Sequence, residues 1–269
     1  MNTQTPRRLA FNFLVVVIFA FMLLPVVAVS YVSFFDSQFL TFPPEGYTLK
    51  WFANVFSQRA FVEGFVTSAK IAFLAMVVGV SVGLAIAVAL TRFDFPGKGV
   101  IMNIMLAPLL VPGIVIGTAL YVFFIQMSII WQWDALSSLT GLVLAHITLT
   151  IPWSVRLIVS SMGMLDRSVE EAARNLGASA WTTFWRITLP RARAGIVAAS
   201  MFSFIVSFEN LEVSVLLVTP GQTTLPIAML EYLEWQMDPT LAAASTLQIL
   251  VIGTLLLVTD RFVKLSRIV

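Results

Sequence analysis

Two short stretches of this 269-residue chain carry side chains that can do chemistry, and both interrupt apolar sequence. The first is Ser207-Phe208-Glu209-Asn210-Leu211-Glu212, set inside a long hydrophobic run. A charged side chain at the centre of a membrane helix costs about 2.5–3.5 kcal/mol on insertion scales, so such residues face a cavity or a partner. At helical spacing Glu209 and Glu212 fall on one face. Phe208 beside them would add an aromatic surface, and two negative charges with a ring suit an organic cation. The other destinations open to the pair are the outer headgroup layer and a partner subunit. At about 1.5 Å per residue from Ala194, Glu209 lies roughly 22 Å along its span, in the outer part.

The second stretch is Leu165-Asp166-Arg167-Ser168-Val169-Glu170-Glu171-Ala172-Ala173-Arg174-Asn175-Leu176-Gly177-Ala178-Ser179. Ser168 followed by Glu171 has the spacing of a capping box, with the carboxylate at the positive end of a short helix. Gly177 is placed to take the left-handed conformation that ends it. Ser179 is placed to cap a second short helix through Trp181, Phe184 and Trp185 to Pro190. The expected product is an elbow of two helices outside the bilayer. Val169, Ala172, Ala173 and Leu176 recur at 3–4 residue spacing, a stripe that must be buried against the same chain or a partner.

Other chemistry is sparse. The absence of cysteine removes disulfides and thiolate ligands, and one histidine, His146, argues against a His-based metal site. His146 reads as a residue hydrogen-bonding a neighbouring helix, with proton transport as the alternative; Arg156 reads as a snorkelling side chain or a pathway residue. Glu231, Glu234 and Asp238 sit in an external loop, 219–240, that lacks a basic residue. They suit a wetted helix face, a docking surface or a funnel for cations.

The elements that must hold these residues are membrane helices. The chain is 59% hydrophobic, only 11% charged, and has a mean hydropathy of +0.93. A soluble domain carries about 25% charged residues, so a soluble enzyme and a disordered chain are excluded. The net charge of +2 reflects loop residues and gives no reason to invoke nucleic acid. Crossing a bilayer takes about 20 apolar residues, and six stretches qualify: 11–35, 65–90, 100–125, 139–162, 194–218 and 241–262. The first is too long for a signal peptide core and reads as a span. With the N-terminus inside, all Lys and Arg except Lys50, Arg59 and Lys70 fall on the cytoplasmic side, which places both termini in the cytoplasm. Pro108, Pro112 and Gly113 interrupt the third span, and Pro152 the fourth. The expectation is an all-α, polytopic membrane protein with one integral membrane domain over 1–269 and a cytoplasmic loop at 163–193.

The elbow also carries a resemblance. Glu171-Ala172-Ala173, three residues, Gly177, nine residues, Ile187, one residue, Leu189-Pro190 is similar to the EAA signature of permease subunits of binding-protein-dependent ABC importers. The likeness runs along nearly the whole chain and resembles most the second permease of spermidine/putrescine-type importers. It includes Ala89-Leu90-Thr91-Arg92-Phe93-Asp94-Phe95-Pro96-Gly97-Lys98, Val111-Pro112-Gly113-Ile114-Val115 and Thr224-Leu225-Pro226. The resemblance implies a type I importer permease (MetI-like) fold with six transmembrane helices in a bacterial inner membrane. It implies that Glu171, Ala172, Ala173, Gly177, Ile187, Leu189 and Pro190 couple to an ATPase. It further implies a second permease forming a heterodimer, two ATPase subunits and an extracytoplasmic solute-binding protein as partners. ATP and Mg2+ would belong to the ATPase, with no cofactor and no catalytic residue in this chain, which lacks a phosphate-binding Gly-x-x-x-x-Gly-Lys loop. Ser207, Phe208, Glu209, Asn210 and Glu212 become candidate pathway residues. Polyamine-type permeases carry adjacent acids here; this chain has Asn210 at the second position, so opines, aminophosphonates and metal chelates stay open beside a polyamine. A self-sufficient secondary transporter would need ion-coupling residues and an internal repeat, and neither is evident.

Overall fold

The structure, a computed structural model, describes residues 4–38, 41–136, 138–219 and 221–263. The described residues are helical apart from turns, loops and one isolated antiparallel bridge, Phe35–Tyr47. The helices are α1 (Gln4–Val32), α2 (Lys50–Ser57), α3 (Arg59–Arg92), α4 (Lys98–Leu106), α5 (Gly113–Trp131), α6 (Leu139–Gly163), α7 (Ser168–Asn175), α8 (Ala180–Thr183), α9 (Leu189–Phe208), α10 (Ser214–Leu217), α11 (Leu225–Trp235) and α12 (Thr240–Val263). Among the described residues six helical stretches are long and apolar enough to cross a bilayer: Arg8–Val32, Arg59–Arg92, Gly113–Trp131, Leu139–Gly163, Ala180–Phe208 and Thr240–Arg261.

Two of these differ from the apolar runs in the sequence. The third does not begin at residue 100. The chain instead forms α4, a 3-10 turn at Ala107–Leu110 and an extended step at Val111, and the crossing helix starts after Pro112. Pro112 lacks an N–H and sits where a helix start leaves that donor unused, so it begins this span rather than kinking it. The fifth span runs from Ala180 and stops at Phe208, not at 218. It passes Pro190 without breaking because a π turn at Phe184–Thr188 precedes it. A wider turn relieves the clash between a proline ring and the preceding carbonyls, so the second half of the elbow is continuous with a membrane helix.

The backbone falls into two units, residues 1–59 with 229–251 and residues 60–228 with 252–269. In the first, Trp51 Nε1 donates to Phe35 O at 2.7 Å and Asn54 Nδ2 donates to Thr240 Oγ1 at 2.8 Å. Asp238 accepts from the Thr240 N–H and from the Tyr232 hydroxyl. It therefore caps α12, whereas Glu231 and Glu234 are exposed on α11. No residue in the most apolar stretch of α1 is buried in the chain, so its exposed apolar surface is left for lipid or another subunit to cover.

The second unit is organised around α6. On α3, a Cβ at Gly79 would overlap Thr150 Oγ1 and one at Gly83 would overlap the Ser154 side chain; on α9, one at Gly195 would overlap Ser161. Without a hydrophobic drive between helices in lipid, small residues that let backbones approach are what hold such bundles together. Ser154 and Ser203 share a 2.9 Å hydrogen bond between α6 and α9, and Thr150 Oγ1 donates to Ala75 O at 3.1 Å. Ile71, Phe124, Leu142, Ala145, Val213 and Leu217 form one buried cluster against α6, and Val80, Ala87, Ile158, Met162, Ala192 and Ala199 form another.

Candidate functional site: an elbow and a broken helix

The elbow joins α6 to α9. Asp166, not Ser168, starts α7. Its carboxylate accepts the Ser168 N–H at 2.9 Å and the Ser168 hydroxyl at 2.7 Å, bonds that hold its pKa below the ordinary carboxylate value. Ser168 is thus already helical, and Glu170 and Glu171 N–H both bond to Arg167 O at 3.0 Å. The expected capping box does not form because an acid two residues earlier takes the free donor. The end of α7 follows expectation. Gly177 has φ +91°, its N–H bonds to Arg174 O, and Ala178 N–H bonds to Ala173 O, the paired bonds of a Schellman ending. Ser179 Oγ then accepts from Thr182 N–H at 3.1 Å and starts α8.

What α7 buries is charge. Glu170 is its buried residue, and Glu170 Oε1 accepts from Arg92 at 3.1 Å (Nε) and 2.9 Å (the terminal Nη2) at the end of α3. Both side chains are nearly enclosed, at 11% and 12% exposure. Arg167 adds a short bond to Thr91 O. Most of the apolar stripe, in contrast, faces away: Leu176 is 90% exposed and Val169 is also exposed, as is Trp181, at 70%, on α8. Glu171, Ala172, Gly177 and Pro190 are exposed, and Ala173, Ile187 and Leu189 are half-buried. Sequence reasoning missed the Arg92–Glu170 pair. Only the charge of each residue was visible there, and 78 positions separate them.

The second place is a break in a helix. α9 ends at Phe208 with Glu209 as its cap, whose N–H still bonds to Ile205 O at 3.0 Å; the chain leaves the helix at Asn210 and α10 resumes at Ser214. Glu209 and Glu212 therefore do not share a face of one helix. Asn210 explains the break: its Oδ1 accepts the Val213 N–H at 3.0 Å and its carbonyl accepts the Ser214 hydroxyl at 2.6 Å. An Asn side chain offers the backbone these alternative bonds. Glu209 and Glu212 are exposed and make no ion pair among the described residues. Glu212 lies at the start of α5, where a Cβ on Gly113 would overlap its Oε2. Ser207 and Phe208 are buried. Phe208 packs between Phe65 and Phe204, at ring separations of 5.5 and 5.7 Å, so its expected cation-binding face is taken up by packing.

His146, 1% exposed, reaches the break from α6: Nδ1 lies 2.8 Å from Ser207 Oγ and Nε2 lies 3.1 Å from Ser214 Oγ. Arg156 is exposed on the same helix. The Thr224-Leu225-Pro226 stretch starts α11, where Leu225 N–H donates to Ser68 Oγ at 2.9 Å and the backbone abuts Gly64. Among the described residues no group of three His, Asp or Glu side chains is placed to hold a metal ion.

Residues 79–267 match the family described as binding-protein-dependent transport system inner membrane component. The putrescine transport system permease protein PotI of Escherichia coli K12 is 29% identical over 236 residues, 87% of this chain and 84% of that protein. The spermidine/putrescine transport system permease protein PotC of Haemophilus influenzae is 28% identical over 244 residues, 90% of each. The molybdenum transport system permease protein ModB of Escherichia coli K12 is 33% identical over 172 residues, 60% of this chain and 75% of that protein. A chain of a bacterial ABC transporter for the acidic polysaccharide alginate superposes with a TM-score of 0.73 at 15% identity, covering 97% of this chain and 96% of that one. One from the MetNI methionine ABC transporter gives 0.60 at 19% identity over 76% and 95%.

Proposed function

Because the chain belongs to the family of binding-protein-dependent transport system inner membrane components, we propose that it lines half of an import path and is driven by an ATPase docking on the elbow. It is a multi-pass inner-membrane permease subunit of an ABC importer, and non-catalytic; the ATPase is a separate chain. The observation that carries the coupling reading is the inverted burial of the elbow. Leu176 and Trp181 project from it while Glu170 is held against α3. An exposed apolar ridge set on an anchored base is what a partner groove would grip. In this reading both termini and the elbow lie in the cytoplasm, consistent with the bias of Lys and Arg. Two ATPase subunits supply ATP and Mg2+ chemistry, a second permease completes the path as a heterodimer, and an extracytoplasmic protein delivers the solute.

The cargo is a small organic cation, a polyamine or a close relative. Glu209 and Glu212 support this, as two exposed carboxylates beside a helix break that make no ion pair among the described residues. Irregular backbone at membrane depth is tolerated where it lines a cavity, and carboxylates there complement a cation. The fold does not decide the charge of a cargo, since relatives named for putrescine and molybdenum share it.

The test of coupling is Gly177→Asp in the assembled transporter in liposomes. No atom would crowd a side chain there, so the effect is on the backbone. Holding a non-glycine residue at φ +91° costs about 1–2 kcal/mol. The subunit is expected to insert and assemble, ATP hydrolysis to persist, and uptake to fall about tenfold or more, 1.4 kcal/mol being a factor of ten. Uptake at the unmodified rate would overturn the reading.

A further inference from the structure

The one histidine of the chain has no part in the reading above, and its surroundings assign it a role. Ser214 Oγ donates its only proton to Asn210 O, at 2.6 Å. It must therefore accept from the His146 Nε2–H, 3.1 Å away. A neutral ring protonated on Nε2 then accepts at Nδ1 from the Ser207 hydroxyl at 2.8 Å. The result is a directed relay, Ser207 to His146 to Ser214 to the Asn210 carbonyl, with the Asn210 side chain closing the far side on Val213 N–H. Every member except Asn210, which is half-buried, is buried. The relay ends on a carbonyl, which cannot pass a proton on, and among the described residues the ring's hydrogen bonds are to hydroxyls, so it is a tie and not a proton path.

Ser207 is the penultimate residue of α9 and Ser214 is the first of α10. His146 therefore binds both lips of the break to α6, where helical bonding between them has been lost. The elbow end of α6 lies 17 residues on from His146, about 25 Å, and that of α9 lies 18 residues back from Ser207, about the same. Both helices that meet the elbow are thus pinned together at their other ends, next to Glu209 and Glu212. We propose that His146 is the positioning residue of this break: it fixes the two acid-bearing lips to α6, so that elbow movement carried by α6 and α9 moves the acids as one body. The link to the acids rests on the cation reading above; the tie itself does not.

The test uses the assembled transporter in lipid nanodiscs, comparing unmodified protein, His146→Leu, His146→Gln and the pair Ser207→Ala with Ser214→Ala. Gln offers one acceptor and one donor and can span both hydroxyls. Losing about two hydrogen bonds should raise amide hydrogen exchange over residues 209–217 roughly tenfold or more in His146→Leu and in the double serine variant. Exchange in the Ser154–Ile158 turn of α6 should not change, and His146→Gln should restore protection. Putrescine uptake in liposomes should show a raised KM at similar ATP hydrolysis, again restored by Gln. Unchanged exchange at 209–217, or Gln behaving like Leu, overturns the proposal. If His146→Leu fails to assemble, the double serine variant decides, since it keeps the ring in place. If the unmodified transporter does not take up putrescine, the cation reading fails while the exchange result still judges the tie.

Discussion

The elbow and the break both interrupt apolar sequence, and they bury opposite things. At the elbow the charges, Arg92 and Glu170, are turned inward and paired, while Leu176 and Trp181 are left outside. At the break the charges, Glu209 and Glu212, are left outside and a neutral relay, Ser207, His146 and Ser214, is buried. A buried ion pair is directional and stiff but contributes little net stability over an apolar substitute. Its use at the elbow is to fasten α7 to α3 at a defined angle. A hydroxyl–imidazole relay has no net charge to desolvate, so it can sit inside a membrane helix bundle where an ion pair would be costly. On the proposed reading, the difference is that between a joint that bears force and a gap that faces cargo: the elbow hides its charge and shows its apolar residues, and the break does the reverse.

The comparison breaks most severely at Arg92. Arg92→Ala strands a buried carboxylate, which costs about 3–5 kcal/mol for a fully enclosed pair; with some exposure remaining, a value at the lower end is expected. A thermal-unfolding measurement on the assembled transporter should show the loss, and Glu170→Ala added to Arg92→Ala should recover part of it. Fully additive losses would mean that the pair does not couple. The nearly enclosed pair should also keep its strength at high salt, unlike an exposed bridge.

A smaller effect is expected at the break. Glu209→Gln with Glu212→Gln removes both negative charges and should leave assembly and unfolding temperature unchanged, since neither acid has an ion-pair partner among the described residues. Putrescine uptake should weaken about tenfold, the scale of roughly 1.4 kcal/mol of lost charge pairing. Identical kinetics would place the acids with headgroups or a partner subunit instead.

The smallest effect belongs to Asp166. Its pKa is lowered by the two Ser168 bonds, so folding favours the ionised form. That stabilisation is present above the ordinary carboxylate pKa and is lost as pH falls through the lowered value. Transport between pH 6 and 8 should therefore not report on Asp166. Asp166→Asn should only increase fraying of the first turn of α7, read as faster amide exchange at Ser168–Glu171.

How legible each part was follows from the range of its interactions. The six spans, the Gly177 turn and the Ser179 cap depend on residues within a few positions of one another, and the local pattern carries them. The helix start at Ser168 was misassigned for an equally local reason, because Asp166 competes for the same donor and wins. The ends of the third and fifth spans were not legible. Hydropathy continues through Leu106–Leu110 and through Val213–Val218, but Pro112 and the Asn210 bonds to Val213 and Ser214 set the helix limits.

By itself, then, the sequence determined the solvent of this protein, the number of its crossings and the elbow with its signature, since bilayer thickness and helix termination act over a turn or a single span. Only the tertiary structure decided which charges are buried and which are offered. Arg92 with Glu170, and His146 with Ser207 and Ser214, lie 78, 61 and 68 positions apart. Bonds between such distant residues exist only once close-packed glycines on α3 and α9 have brought those helices against α6.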